Sequence, residues 1–485
     1  MNRRLIIRVL GAILLVEAAA MLPALIVSLI YGDGDTAVMG LSILIVSFVG
    51  TVLLMLPPPF PGSHLRLKEG FIVTALGWIL MSLCGALPFF ISGIYPRFED
   101  AFFEAVSGFT TTGASVLTRF EGFPRGIMLW RATTHWVGGM GVLVLTLALL
   151  PKLTGRTSHL VKAESPGPSL SKLVPQTGKT AKMLYSLYIG LTLCEFISLI
   201  LCGVTPYDAI IHTFGTAGTG GFSNFSSSVG HFDSVAVDIV ISVFMFLFGC
   251  NFALYYKLLF GEGFKAFLHD EEFRWYLTIG VTFILLITLF NLPVYGGNFF
   301  VSLRYGSFQL LSVMSTTGFV TADFNQWPVV SQMLLVITMF IGACAGSTAG
   351  GMKVIRINLI AKMSRRNIQM TGNPKRMDVI RLDGKAVDEN ILSQVAQFAL
   401  MYFALVLLGA FLVSTEGKYD LTTNLSAAIT CICNVGPGLG GVGPTENFAQ
   451  YGILAKVVLS FLMLFGRLEL LPMFILFTRS AWRKY

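Results

Sequence analysis

Four short stretches decide how this chain folds: Phe109-Thr-Thr-Thr-Gly-Ala-Ser115, Ala217-Gly-Thr-Gly-Gly-Phe-Ser223, Met314-Ser-Thr-Thr-Gly-Phe-Val320 and Ile432-Cys-Asn-Val-Gly-Pro-Gly438. Superposed on a shared glycine, they place Gly113, Gly221, Gly318 and Gly436 in one column. Thr111, Thr219, Thr316 and Asn434 stand two places earlier. The column recurs at intervals of roughly 100 residues, far longer than solenoid periods of about 20–50. Each stretch follows an apolar helix and then a shorter, less apolar segment: Asp100–Phe109, Asp208–Ala217, Phe300–Ser315 and Leu421–Ile432. A second long apolar run comes after it. The short segments cannot cross a hydrocarbon core of about 30 Å, which takes about 20 helical residues. Non-helical backbone at membrane depth survives only inside protein or around a watery cavity. The pattern therefore predicts four pseudo-symmetric helix–pore loop–helix repeats around one central pore.

Composition agrees with a membrane chain. Of 485 residues, 54% are hydrophobic and only 12% charged, against about 25% charged in soluble domains. Apolar stretches recur throughout: Leu5–Tyr31, Val38–Leu56, Phe71–Ser92, Tyr185–Val204, Val235–Phe260, Trp275–Leu292, Val395–Leu412 and Val457–Phe477. The fold class is an all-α integral membrane protein, with an extra N-terminal pair of transmembrane helices over roughly 5–58. Pro57-Pro-Pro-Phe-Pro61 ends that pair by denying helical hydrogen bonds. With so many spans, the first reads as a permanent helix rather than a cleaved signal. The expected division is 1–68 for the pair and 69–180, 181–272, 273–386 and 387–485 for repeats 1 to 4.

The formal charge of +8 is concentrated in clusters at Arg3/Arg4/Arg8, Arg66/Lys68, Lys152 to Lys182, Lys257 to Arg274, Lys353 to Lys385 and Arg479/Arg483/Lys484. The positive-inside rule puts these clusters, and both termini, on the cytoplasmic side. No basic stripe on a soluble domain offers itself to nucleic acid. The lipid bilayer is the partner that the composition demands. Seven cysteines lie in apolar surroundings without zinc spacing, so packing is their reading. The six histidines are scattered, with His212 in the second re-entrant segment nearest the expected pore. No catalytic constellation stands out, so the chain is not read as an enzyme. Gly438-Leu-Gly-Gly-Val-Gly443 fits a dinucleotide pattern, but no strand–helix unit surrounds it.

A dehydrated cation needs oxygens in place of its water shell, and rings of backbone carbonyls supply them in potassium channels. Turning successive carbonyls to one axis calls for φ > 0, where glycine escapes a Cβ clash. The C-terminal, partly negative ends of the re-entrant helices point at the same cavity. The candidate filter is Thr111, Thr112 and Gly113, then Thr219, Gly220 and Gly221, then Thr316, Thr317 and Gly318, then Asn434, Val435 and Gly436. The hydroxyls two places before the glycines, and the Asn434 amide, offer further oxygens.

Together with Trp136-Val-Gly-Gly-Met-Gly141, Gly249-Cys-Asn-Phe-Ala-Leu-Tyr255 and Gly346-Ser-Thr-Ala-Gly-Gly-Met-Lys353, the four loops make nearly the whole chain closely resemble the TrkH membrane subunits of bacterial Trk potassium uptake systems. These belong to the Trk/Ktr/HKT superfamily, and the extra N-terminal pair is similar to TrkH rather than to KtrB. The fourth loop, Asn434-Val-Gly-Pro437, departs most from the family pattern. The resemblance implies gated potassium transport across a bacterial cytoplasmic (inner) membrane, with K⁺ as the transported ion at the filter and no cofactor in this chain. It also implies a homodimer with one pore per subunit, and a cytoplasmic TrkA-like ring that binds nucleotides and NAD and gates the pore.

Two features continue the path inward. Gly342, Gly346, Gly350 and Gly351 interrupt an apolar run that starts near Val329, and Lys353 follows them. Each glycine costs a helix about 1 kcal/mol relative to Ala, so the run can break into a loop over 342–353. The spacing of four also fits close helix packing; the resemblance implies an intramembrane gating loop. Arg467 sits within Val457–Phe477, where a central Arg costs at least about 2.5 kcal/mol on insertion scales. It either projects into the pore as a barrier to cations or pairs with Glu469 of the dimer mate or another helix. The rival function is an ion-coupled symporter driven by H⁺ or Na⁺, for which Glu17, Glu104, Glu195 and Glu469 are the membrane carboxylates to examine.

Overall fold

The computed structural model describes residues 3–56, 67–141, 177–261, 263–373 and 378–482. The proline stretch 57–61 and most of the basic cluster from Lys152 to Lys182 lie outside the described residues. Among those described, six helices are long and apolar enough to cross a membrane: Arg3–Tyr31, Thr36–Met55, Lys68–Ile91, Lys182–Leu201, Glu271–Asn291 and Glu389–Ser414. Their two faces differ in what they touch, not in polarity. In Glu389–Ser414 the side chains of Leu400, Phe403, Leu407 and Phe411 are exposed, while Tyr402, Val406, Ala410 and Val413 are buried. Both sets recur every three to four residues, as one helix needs if it is to show lipid one apolar face and the core the other. The only described strands are a two-residue pairing of Arg381–Leu382 with Lys385–Ala386.

The N-terminal pair is joined through glycines. A methyl on Gly11 would lie 2.7 Å from the Gly50 carbonyl oxygen, so the two backbones touch there. Four short helices occupy the re-entrant positions: Phe98–Phe109, Pro206–Gly218, Phe299–Met314 and Leu421–Cys433. Their bounds fall within two residues of the segments read from sequence. Three begin on side-chain caps: Thr205 accepts from the Asp208 amide, Asn298 from the Phe300 and Val301 amides, and Asp420 from the Thr423 amide.

Two of the apolar runs are not single helices. Val235–Phe260 divides into Val235–Phe248 and Phe252–Phe260, which meet at 89°. The break falls at Gly249-Cys-Asn251, and Asn251 caps the second piece by accepting from the Ala253 amide at 2.9 Å. Its freed backbone groups are satisfied by another repeat: the Cys344 amide donates to the Gly249 carbonyl at 3.0 Å, and the Phe252 amide to the Gly346 carbonyl at 3.1 Å. Val457–Phe477 divides likewise into Ile453–Arg467 and Leu471–Phe477. Glu469 and Leu470 between them take left-handed φ of 56° and 65°. Arg467 therefore ends a helix rather than sitting in the middle of one.

Backbone contact sets the tolerance of these joints. A methyl on Gly466 would sit 1.9 Å from the Ile432 carbonyl oxygen, whereas one on Gly190 meets nothing within 4 Å. Gly466→Ala is expected to cost about 1–3 kcal/mol by overpacking, and Gly190→Ala to be neutral or slightly stabilising. Thermal unfolding of the purified variants in detergent checks both signs.

Candidate ion-conduction site

Each re-entrant helix ends in the same way. Thr111, Thr219, Thr316 and Asn434 have φ of 53°, 55°, 58° and 56°. The next amide in each case bonds back five residues: Thr112 to the Ser107 carbonyl, Gly220 to Gly215 and Thr317 to Ser312, all at 2.8 Å, and Val435 to Thr430 at 3.0 Å. This is the Schellman ending, whose left-handed residue is usually glycine or asparagine. Here the sequence reading needs correction. It reserved φ > 0 for the shared glycine and gave the earlier position only a side-chain oxygen. In fact both positions are left-handed, and Gly113, Gly221, Gly318 and Gly436 follow at 82°, 76°, 81° and 98°. A left-handed threonine costs roughly 1–2 kcal/mol, which the surrounding structure must offset.

That surround is a ring. A methyl on Gly113 would lie 2.0 Å from the Gly220 carbonyl oxygen, one on Gly221 would lie 2.1 Å from that of Thr317, and one on Gly318 would lie 2.1 Å from that of Val435. A methyl on Gly436 would lie 2.6 Å from the Thr112 oxygen and closes the circuit. Every glycine thus faces the carbonyl just ahead of the next repeat's glycine, in the order 1, 2, 3, 4 and back to 1. The twelve candidate filter residues are brought together around one axis. Thr111, Thr112, Thr219, Thr316, Thr317, Asn434 and Val435 have no exposed surface. The fourth loop's asparagine is structural as well: its Nδ2 donates to Thr112 Oγ1 and to the Met463 carbonyl, both at 3.0 Å.

Behind the ring stands an arginine that the sequence reading passed over, paired with a glutamate that it had marked only as a candidate for coupling. Arg131 Nε donates to Glu104 Oε1 at 2.7 Å, with both side chains almost wholly buried. Arg131 also reaches the Ser223 carbonyl at 3.1 Å and lies over the Phe222 ring. Glu104 in turn accepts from Ser115 Oγ at 2.8 Å and the Val116 amide at 3.1 Å. One ion pair therefore braces the chain leaving filter loops 1 and 2. The available signal was an arginine inside an apolar helix, which requires a partner. The His135 ring packs directly behind Gly220 and contacts the Gly108 carbonyl at 2.7 Å. His212 instead lies between the Asp208 carbonyl and Ser223 Oγ.

The glycine-rich segment 342–353 is a loop, with φ of 67°, 70°, 73° and 76° at Gly342, Gly346, Gly351 and Lys353. It lies against the inner side of the ring. The Gly350 amide donates to Thr316 Oγ1 at 2.7 Å, and the Gly351 amide to the Cys433 carbonyl at 3.0 Å. Lys353 is buried and bonds through Nζ to the Ala349 carbonyl. Arg467 donates to the Thr348 carbonyl in this loop, and to the Gly138 and Gly139 carbonyls at the end of Arg125–Gly139, each at 2.6 Å. Those acceptors belong to repeats 3 and 1, the two neighbours of repeat 4 in the ring, so the guanidinium joins the broken ends of both. Glu469 pairs with Arg356 of the same chain at 2.5 Å.

Four re-entrant loops closed into a ring between membrane-crossing helices define a multi-pass membrane protein of the pore-loop class. The TrkH family model, described as a cation transport protein, matches residues 41–484. The Trk system potassium uptake protein TrkH of Salmonella typhimurium is 36% identical over 490 residues, covering 100% of both chains. That of Escherichia coli K12 is 35% identical with the same coverage. The crystal structure of the potassium transporter TrkH from Vibrio parahaemolyticus superposes with a TM-score of 0.89 at 33% identity, again over 100% of both chains. The chain belongs to the TrkH family; its relatives are named as transporters, not enzymes.

Breaking the buried pair from one side strands a charge. Arg131→Met is expected to destabilise the protein by about 3–5 kcal/mol, and the double variant Glu104→Gln/Arg131→Met by clearly less. Thermal midpoints of the three variants, compared as a double-mutant cycle, measure the difference.

Proposed function

We propose that this chain conducts potassium through the ring of four loops, as a gated uptake pathway across a bacterial cytoplasmic membrane. The observation that carries the reading is the closed circuit of glycines, in which each loop fits against the next one's carbonyl only for want of a Cβ. Backbone oxygens held this rigidly can replace the water shell of a monovalent cation. The filter is assigned to Thr111, Thr112, Gly113, Thr219, Gly220, Gly221, Thr316, Thr317, Gly318, Asn434, Val435 and Gly436. The four re-entrant helices end on the ring, which adds negative potential there.

The gate is the loop 342–353 with Arg467. The loop sits under the filter, and the guanidinium is held beside it by carbonyls of the two repeats that flank its own. A cation leaving the filter meets a fixed positive charge and a closed backbone. Opening requires that the loop and Arg467 part. The four repeats keep the divisions drawn from sequence, with both termini cytoplasmic. We further propose that a homodimer and a cytoplasmic nucleotide-binding regulator complete the functional unit; the relatives' names support a partnership with other components of a Trk system.

The coupled-transport reading has less support. Of the four carboxylates it needs, Glu104 and Glu469 are held in ion pairs. Glu17 and Glu195 are buried in helix packing.

Rubidium or potassium flux from purified protein in liposomes tests the proposal. Gly113→Ser or Gly221→Ser, which crowd a carbonyl of the next repeat, are expected to lower flux by tenfold or more. Arg467→Ala is expected to raise it. Flux insensitive to all three rejects the assignment, and a reversal potential that follows the proton or sodium gradient at fixed potassium favours the symporter.

A further inference from the structure

The loop 342–353 is held from above by the filter, but its base is held by a residue with no place yet in the pathway. Glu272, the second residue of Glu271–Asn291, is 5% exposed. Its Oε1 accepts from the Ala345 amide at 2.7 Å and from the Ile355 amide at 3.1 Å. Ala345 is the fourth residue of the loop. Ile355 is the second residue of Val354–Gly372, the helix that leaves it. The Ile355 amide is one of the first-turn donors that a helix cannot satisfy internally, and a negative oxygen there also suits the helix dipole. One oxygen therefore ties together both ends of the segment that carries Thr348, Gly350 and Gly351, the residues reaching Arg467, Thr316 and Cys433.

The adjacent residue faces the other way. The Glu271 amide donates to Asp383 Oδ1 at 2.9 Å, in the turn of the hairpin Arg381–Leu382/Lys385–Ala386. The Glu271 carboxylate accepts from Asn358 Nδ2 at 3.1 Å and is paired with Lys362. Lys362 in turn donates to the Arg381 carbonyl at 2.7 Å. The start of this helix is thus fixed on one side to the hairpin and its neighbouring helix, and on the other to the base of the loop.

We propose that Glu272 is a positioning residue of the gate: it clasps the two ends of the loop 342–353, and movement of the hairpin at 381–386 loosens the clasp through the start of Glu271–Asn291. This rests on the reading of that loop as the gate. While both ends are pinned to one atom, the loop cannot widen at its base to leave the underside of the ring. Once the clasp is lost, the two ends stay joined by the bonds of the Val354 amide to the Ala343 carbonyl and of the Met352 amide to the Phe340 carbonyl, both at 3.0 Å, and the closed position is weakened rather than released.

Full-length protein in liposomes, without added partner, provides the test. Glu272→Ala is expected to raise rubidium flux about tenfold, equivalent to about 1.4 kcal/mol, with the potassium-to-sodium flux ratio unchanged because the filter is untouched. Glu272→Gln keeps an acceptor oxygen at the same reach and should stay within about twofold of the unaltered protein. Glu272→Asp, too short to meet both amides, should lie between. If Arg467→Ala raises flux while Glu272→Ala and Glu272→Asp do not, the clasp is wrong and the gate stands. If none of them raises flux, the gate itself is wrong. Hydrogen exchange on the unaltered protein gives a reading that needs no variant. The Ala345 and Ile355 amides should exchange slowly and together, and rapid exchange at either one overturns the clasp.

Discussion

A hydrogen atom in place of a methyl, four times over, is the constraint on which the rest of this molecule depends. Each shared glycine faces a carbonyl oxygen of the following repeat at a distance that no Cβ tolerates. Because the four contacts run in one direction and close, none can be relaxed alone: widening one gap narrows another. A circuit of this kind fixes the radius of the opening by backbone contact, which is stiffer than side-chain packing. It also explains how a β-branched residue is held at the left-handed ends of three re-entrant helices. The cost of roughly 1–2 kcal/mol at each threonine is borne by a position that the helix ending and the ring both determine.

Beneath the ring, three helices break where their ends bond to other repeats. Val235–Phe248 stops at Gly249, Val329–Ile341 at Gly342, and Ile453–Arg467 at Arg467 itself. Broken helices leave amides and carbonyls that a membrane interior does not forgive, and here they satisfy one another. The repeat 3 loop exchanges backbone hydrogen bonds with the repeat 2 break. The carbonyls at the end of Arg125–Gly139 and in the repeat 3 loop receive the guanidinium of Arg467. The positive charge is therefore solvated by backbone oxygens drawn from two other repeats. The inner side of the ring is a set of interrupted helices whose loose ends match only in this arrangement, and such a set can have a second arrangement at modest cost.

Ionic chemistry is kept behind these two layers. Arg131 with Glu104, Lys456 with Asp100, and Arg356 with Glu469 join residues on different elements. Buried pairs contribute little net stability relative to apolar packing, but breaking one is costly. Their consequence here is register: each fixes the relative height of the two elements that carry it.

The sequence by itself determined the membrane class, the N-terminal helix pair, the four repeats and the positions of the re-entrant helices to within two residues. Those features are written as local signals: apolar runs of membrane length, segments too short to cross, and a glycine that recurs. It also singled out the residues that meet at the ring, because a repeated position must do the same work in each copy. Only the tertiary structure decided the bend at Gly249-Cys-Asn251, the end of the helix at Arg467, the left-handed threonines, and the partners of Arg467, Glu469, Arg131 and Glu272. The partners of those four side chains, and of the backbone freed at the bend, lie tens to hundreds of positions away, and no periodicity along the chain points to them. A run such as Val235–Phe260 is apolar whether straight or bent, and it bends because another repeat supplies partners for the backbone groups that the bend exposes.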